Sequence, residues 1–310
     1  MRTATILAVL ALLAACAPPV VPNSPEACAV QPVTEVPLIP PNPPATTRWA
    51  IAMALDGKPV TMMLDSGATG LVISSEAAAR LGLRHRPDMQ ASSSGLGGMV
   101  YRRVFEVGSV TIGSQTETKA ALAVEMTDAQ AAGRGFDGIV GIVGMRPFDQ
   151  NDIEIDFPAR TLRLYRARFC PSGAPPWSGQ FATFPRSRSA QHSRWNLPMV
   201  AVRLDGRQAH ALLDTGATSS VVDRSFAQTL GAPAAPPDGA RLGTARTMSE
   251  TTMPMWLHRF ETAEIAGRRF SNPQIWILDL GMVGDMIVGL DILARLRIWI
   301  SSGSDTVYIR

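Results

Sequence analysis

Two aspartates stand in matching hexapeptides that lie far apart in the chain. One hexapeptide reads Leu-Asp-Ser-Gly-Ala-Thr over Leu64–Thr69, and the other reads Leu-Asp-Thr-Gly-Ala-Thr over Leu213–Thr218. A single Asp-Ser/Thr-Gly triplet is typical of an ordinary turn, because all of these residue types favour turns. Two carboxyl groups brought close together, however, share a proton and can act as general acid and general base. Asp65 and Asp214 are therefore the candidate catalytic residues.

The sequence around the two aspartates repeats without a gap at an offset of 149 residues. Asp56-Gly57 returns as Asp205-Gly206, and the apolar and glycine positions that follow each aspartate repeat as well. These positions are Val72, Ala78, Leu81 and Gly82 in the first copy and Val221, Ala227, Leu230 and Gly231 in the second. The chain is thus an internal duplication that presents one aspartate in each half.

A β-hairpin is predicted immediately before each aspartate. Apolar residues alternate over 51–55 and 60–64 on either side of Asp-Gly, which is a strong type I′ turn signal, and the second copy has the same pattern. A short helix is predicted after each aspartate loop, over Ser75–Leu81 and Asp223–Leu230, because a glycine follows each apolar stretch. Each aspartate should therefore lie on a loop between a buried strand and a helix-bearing segment.

A glycine-rich segment follows the first of these helices. It contains Gly95, Leu96, Gly97 and Gly98. It could be a flexible surface loop, or a hairpin lid that closes over a site. The corresponding stretch of the second copy, 241–246, has far less glycine, so the two lids should not be equivalent.

Each half ends with an apolar pair before a glycine and then with alternating apolar residues. The pairs with their glycines are 139–141 and 287–289, at nearly equal distances from their aspartates. The residues over 153–164 and 298–309 are predicted to be the finishing strands of the two halves.

These motifs together resemble the aspartic peptidases. Asp-Ser/Thr-Gly-Ala on a loop, a glycine-rich flap and an apolar pair before glycine are the plan of one retropepsin-like lobe, and here two such lobes are fused as in pepsin-like enzymes. The resemblance implies an all-β fold of two similar barrel-like lobes, with a cleft between them and a short helix in each. It also implies that one chain carries the whole site, so we expect a monomer acting on a peptide or protein substrate.

The resemblance further implies roles for the residues that follow each aspartate. Their hydroxyl groups would hydrogen-bond across the lobe interface, their glycines would line the cleft, and Gly95–Gly98 would close over the substrate. The supporting residues are Ser66, Gly67 and Ala68 in the first lobe and Thr215, Gly216 and Ala217 in the second.

The amino terminus reads as a bacterial secretory signal. Residues 1–15 have a basic Arg2 and a short apolar run, and 13–16 resemble a lipobox ending at Cys16. An ordinary cleavage site that happens to contain cysteine is the alternative. Lipid on Cys16 would anchor the protein in the cell envelope on the periplasmic side, and Ala17 favours the outer membrane over the inner.

The remaining boundaries follow from composition. Residues 16–47 contain ten prolines and are predicted to be an extended tether outside the fold. The lobes are predicted over 48–165 and 197–310, with 166–196 as the connection. Cys28 and Cys170 could pair in an oxidising envelope, or both could remain thiols.

The charge and the spacing of the histidines argue against a nucleic acid partner, a metal and a cofactor. The net charge is +3 with dispersed basic residues, which argues against a nucleic acid partner. The four histidines show no metal-ligand spacing, so we expect neither a metal nor a cofactor. Two classes of function remain: a peptidase of the cell envelope, and a peptide-binding or scaffold lipoprotein that keeps the cleft without turnover.

Overall fold

The computed structural model describes residues 32–40, 48–95, 98–119, 121–132, 136, 138–166, 174–186, 197–246, 252–281 and 283–310. The predicted signal peptide, Cys16, Cys28 and Cys170 lie outside these residues, as do Leu96 and Gly97. Within them, no helix combines the length and the apolar character needed to cross a membrane. The described chain is mostly β-strand and forms two similar lobes, which confirms the predicted all-β, two-lobe fold.

The elements of the first half, in chain order, are β1 (Thr34–Pro37), β2 (Ala50–Leu55), β3 (Lys58–Leu64), β4 (Leu71–Ser74), α1 (Ser75–Leu81), β5 (Arg84–His85), β6 (Ala91–Gly95), β7 (Gly98–Arg102), β8 (Val104–Val107), β9 (Val110–Ile112), β10 (Gln115–Glu117), β11 (Ala121–Met126), α2 (Asp128–Ala132), β12 (Gly141–Val143), a 3₁₀ turn (Arg146–Phe148), β13 (Asn151–Asp156) and β14 (Thr161–Arg166).

The elements of the second half are β15 (Ala182–Pro185), β16 (Met199–Leu204), β17 (Arg207–Leu213), β18 (Val221–Asp223), α3 (Arg224–Thr229), β19 (Leu242–Arg246), β20 (Thr252–Arg259), β21 (Thr262–Ile265), β22 (Arg268–Ser271), β23 (Gln274–Leu278), β24 (Met286–Val288), α4 (Leu290–Leu293), β25 (Arg297–Ile300) and β26 (Thr306–Ile309).

The described residues of each lobe form a nine-stranded sheet, and the two sheets match strand for strand over eight positions. The first has the order β10-β9-β2-β3-β12-β4-β11-β8-β5, and the second has the order β22-β21-β16-β17-β24-β18-β23-β20-β19. In each sheet the strand before the aspartate runs parallel to a later strand, β3 to β12 and β17 to β24. The duplication in the sequence is therefore a duplication of topology.

Turns and helix caps explain why the repeated segments fold alike. Asp56 and Gly57 have φ values of 49° and 73°, and Asp205 and Gly206 have 47° and 74°, as the predicted type I′ hairpins require. The helix α1 begins where the Ser74 side chain accepts a hydrogen bond from an amide of the first turn. It ends at a left-handed glycine, as predicted.

A six-stranded sheet joins the two lobes, and it changes the interpretation of the finishing strands. Its order is β1-β14-β13-β25-β26-β15. The finishing strands do not close separate lobes, because β13 pairs with β25 across the duplication, with Ile153 opposite Ile300. The predicted connection adds β15 to the edge of this sheet. The side chains of Ile153 and Ile300 are buried in the common core, so the lobes share apolar packing.

The predicted tether also enters this sheet, which corrects the expectation that it lies wholly outside the fold. β1 pairs antiparallel with β14, and the side chains of Val36 and Leu38 are buried. The close packing of β1 is visible at Gly113, where a Cβ would come within 2.5 Å of the Thr34 hydroxyl. Proline is tolerated here because Pro37 ends a strand at the sheet edge.

Candidate active site

The two aspartate loops leave equivalent strands and meet between the lobes. Asp65 follows β3 and Asp214 follows β17. The backbone amide of Asp65 donates to the carbonyl of Val143 at 3.0 Å, and that of Asp214 donates to the carbonyl of Val288 at 2.9 Å. Each loop is thus held by the strand that runs parallel to its own, so both aspartates start from the same backbone geometry.

Reciprocal hydrogen bonds from the hydroxyl residues join the loops. The Ser66 hydroxyl donates to the carbonyl of Leu213 at 2.6 Å and accepts from the Thr215 amide at 3.0 Å. The Thr215 hydroxyl donates to the carbonyl of Leu64 at 2.8 Å and accepts from the Ser66 amide at 2.9 Å. Both side chains are buried, so these four bonds are shielded from water.

The glycines let the two carboxyl groups face each other across the interface. A Cβ on Gly67 would lie 2.6 Å from the carboxyl carbon of Asp214, and a Cβ on Gly216 would lie 2.4 Å from that of Asp65. The Gly67 amide donates to its own aspartate, Asp65, at 2.9 Å, and the Gly216 amide donates to Asp214 at 2.8 Å. Any larger residue at these positions would push the opposite carboxyl group away.

The electrostatics are those of a coupled pair. The pKa of Asp214 lies well above its ordinary value, because the carboxyl group is removed from water, because the charge of Asp65 is close, and because the two carboxyl groups are hydrogen-bonded. Hydrogen bonds from the amides of Gly216 and Ala217 oppose the shift without cancelling it. A pair of this kind holds one proton between two carboxyl groups and titrates as a unit. It can offer a base and an acid at the same time.

Comparison with protein families bears on this geometry. A family model described as aspartyl protease matches the chain twice, over residues 51–145 and 200–292, together more than half of its length. The chain belongs to the aspartyl protease family. Each match contains one aspartate loop with its hairpin and its parallel strand, so the two family units are the two lobes. A search of curated proteins found no match to the chain.

The apolar-glycine motif of the first lobe is not the one predicted from the sequence. The strand β24 places Val288 before Gly289, and the residues with the same pairing in β12 are Val143 and Gly144. The prediction at 139–141 is therefore wrong by three residues. A Cβ on Gly144 would lie 2.5 Å from the Ala68 carbonyl oxygen, so the close approach to the aspartate loop belongs to Gly144.

The alanines of the two loops contribute through their backbones. The carbonyl of Ala68 accepts from the Met145 amide at 3.0 Å, and the carbonyl of Ala217 accepts from the Leu290 amide at 2.9 Å. These bonds follow directly after the corrected glycine motifs. They tie each loop to its own lobe, in addition to the hydroxyl bonds that join the two lobes.

The two lobes carry different hairpins at the predicted lid positions. In the first lobe β6 and β7 form a separate two-stranded sheet, with Gly95 opposite Gly98 beside Leu96 and Gly97, which lie outside the described residues. In the second lobe β19 and β20 continue the nine-stranded sheet, because β20 pairs with β23. The first hairpin is thus not hydrogen-bonded to the nine-stranded sheet of its lobe, so fewer strand pairs restrict its movement.

One charged side chain at the site is absent from the sequence predictions. Arg48 interacts electrostatically with both Asp65 and Asp214. It lies outside both motifs and three residues before the first alternating run, so the hairpin pattern did not draw attention to it.

Proposed function

We propose that the protein is an aspartic endopeptidase in which Asp65 and Asp214 activate a water molecule for attack on a peptide bond. The observation that carries the proposal is the mutual approach of the two loops, in which each glycine lies against the carboxyl group of the other lobe. Membership of the aspartyl protease family supports the same reaction.

The proposed mechanism uses the single proton of the pair. The ionised carboxylate takes a proton from water, and the resulting nucleophile attacks the peptide carbonyl carbon. The protonated carboxyl group donates a hydrogen bond to the carbonyl oxygen as negative charge develops there. The leaving nitrogen then receives a proton from the pair and the C–N bond breaks. The reciprocal hydrogen bonds of Ser66 and Thr215 hold together the two loops that carry these carboxyl groups.

The arrangement combines features of two peptidase groups. Fusion of two lobes in one chain is pepsin-like, whereas Asp-Ser/Thr-Gly-Ala and the glycine-rich hairpin are retropepsin-like. The proposed active form is a monomer, because the interlobe contacts and both carboxyl groups come from one chain. The substrate is a peptide or protein whose backbone enters the cleft beneath the β6–β7 hairpin.

We place this activity in the bacterial cell envelope, on the periplasmic side, with a lipid on Cys16 as the anchor, in the outer membrane rather than the inner. The sequence 13–16 supports lipidation. Because β1 already belongs to the fold, the tether would be the chain between Cys16 and Thr34.

The test is peptide cleavage by the purified full-length protein and by two variants, Asp65→Asn and Asp214→Asn. A diverse peptide library read by mass spectrometry supplies the substrates. Each variant should lose cleavage while keeping the melting temperature of the parent. The matched control is Asp56→Asn, because asparagine tolerates the positive φ of that turn.

Two results of this experiment would contradict the proposed function. Cleavage retained by Asp65→Asn or Asp214→Asn would refute the assignment of the dyad. A folded parent protein that cuts none of the library while binding peptides would instead favour a scaffold lipoprotein with a non-catalytic cleft.

A further inference from the structure

The backbone register places Arg48 directly across from Asp65. β2 pairs antiparallel with β3, with Ala50 opposite Met63. The ladder continues one step beyond the strands, because the Leu64 amide donates to the Trp49 carbonyl at 2.9 Å. The next pair in this register is Arg48 and Asp65. Cross-strand neighbours project from the same face of a sheet, so the Arg48 side chain leaves the backbone on the side of the dyad.

The Arg48 side chain is a partly buried cation beside two acids. Its Nε atom is shielded from water. Burial lowers the pKa of Arg48, while the charges of Asp65 and, more weakly, of Asp214 raise it. Arginine nevertheless remains protonated at any pH at which such an enzyme works. The positive charge of Arg48 therefore interacts more strongly with Asp65 than with Asp214.

Among the residues that the structure describes, the position related to Arg48 in the other lobe carries no charge. The same register places Leu197 across from Asp214, because Met199 pairs with Leu212 and the Leu213 amide donates to the Pro198 carbonyl. The duplication offset of 149 residues also relates Arg48 to Leu197. β12 and β24, which run beside the two aspartate strands, consist of uncharged residues. Within the described residues, the two aspartate loops thus have nearly the same backbone arrangement, whereas only the first has a charged residue at this position.

We propose that Arg48 is a positioning residue that holds the single negative charge of the dyad on Asp65 and the shared proton on Asp214. An opposite charge favours the ionised form of the nearer acid. Asp65 then acts as the base toward water, and Asp214 donates to the substrate carbonyl oxygen.

The direct test measures each carboxyl group alone. In the Asp214→Asn protein only Asp65 of the pair titrates, and in the Asp65→Asn protein only Asp214 does. Full-length proteins with ¹³C-labelled aspartate carboxyl groups are titrated by NMR, with and without Arg48→Met. Removing the cation should raise the pKa of Asp65 by about one unit and that of Asp214 by clearly less. Arg48→Lys should restore most of the difference, because lysine keeps the charge.

Controls separate this effect from a structural one. Leu197→Met changes the symmetry-related position without changing charge and should move neither titration. Arg48→Gln provides a second neutral variant if Arg48→Met lowers the melting temperature. Equal shifts at both carboxyl groups, a larger shift at Asp214, or no shift in a folded neutral variant would each overturn the proposal.

The kinetic consequence rests on the peptidase activity proposed above, whereas the titration does not. With both aspartates present, Arg48→Met should move the acidic limb of the kcat/KM profile to higher pH by about the shift seen at Asp65. An inactive parent protein with the expected NMR shifts would refute the peptidase function alone. An active protein whose acidic limb is unmoved by Arg48→Met would refute the role of Arg48 alone.

Discussion

Replacing Thr215 by valine tests whether the interlobe hydroxyl bonds hold the two aspartate loops together. Valine keeps the shape of threonine, so the change deletes one hydroxyl with little loss of packing. Two hydrogen bonds disappear, one to the Leu64 carbonyl and one from the Ser66 amide. The side chain is 1% exposed, so water cannot replace them. Leaving a buried polar group without a partner costs about 1–3 kcal/mol, so two such groups give about 2–6 kcal/mol.

The measurement is the free energy of unfolding from urea titration of the full-length protein, together with kcat/KM on a peptide that it cuts. We expect kcat/KM to fall tenfold or more, on the order of the loss that misplaced reacting groups cause. The matched control is Thr111→Val, whose hydroxyl bonds Thr116 in an exposed pair and should contribute less than about 0.5 kcal/mol. If Thr215→Val costs no more than Thr111→Val, the hydroxyl bonds do not hold the interface.

Two further predictions concern the anchor and a buried acid outside the site. Cys16→Ser should release the protein from the membrane fraction into the soluble envelope fraction, as judged by immunoblot, and unchanged membrane association would contradict lipidation of Cys16. Asp152 is fully buried and burial raises its pKa, so the folded state loses stability as pH rises through that raised value. Asp152→Asn should therefore gain stability relative to the parent as pH rises from about 4 to 8 in urea titrations, and a parallel pH dependence of the two proteins would show that Asp152 is not the cause.

The lobes could be predicted from the sequence because their determinants are local and occur twice. Asp-Gly between alternating apolar runs specifies a hairpin by turn geometry alone. Helix caps within a few residues specify α1. The duplication indicated two lobes, the resemblance to aspartic peptidases implied an all-β fold, and the structure confirms both.

The six-stranded sheet could not be predicted in the same way, because its strand pairs join distant parts of the chain. The pairing of β13 with β25 joins residues more than 140 positions apart. Alternation marks both segments as strands but says nothing about their partner. The same limit applies to β1, since proline content describes a segment's preferences in isolation. Four residues between prolines were enough to add an edge strand to β14.

The glycine motif of the first lobe shows how a local pattern can be matched in the wrong register. The run 139–144 contains an apolar pair before glycine twice, and equal spacing from the aspartates favoured the earlier copy. The parallel pairing of β12 with β3 selects the later copy, because Val143 rather than Val140 lies beside Leu64. The spacing differs between lobes because chain length can change in the loops before this strand without moving the strand itself.

Arg48 is a residue at which the two halves of the duplication differ. The similarities identify the fold, since hairpins, loops and parallel strands repeat. Charge differences at related positions identify what one lobe does that the other does not. Arg48 and Leu197 are related by the same offset as the two aspartates, so the comparison was available in the sequence. The sequence did not show that Arg48 lies opposite Asp65. That placement follows from the hydrogen bond between Leu64 and Trp49, which extends the β2–β3 ladder beyond the strands. A dyad built from two equivalent loops needs some such difference if one carboxyl group is to act consistently as the base.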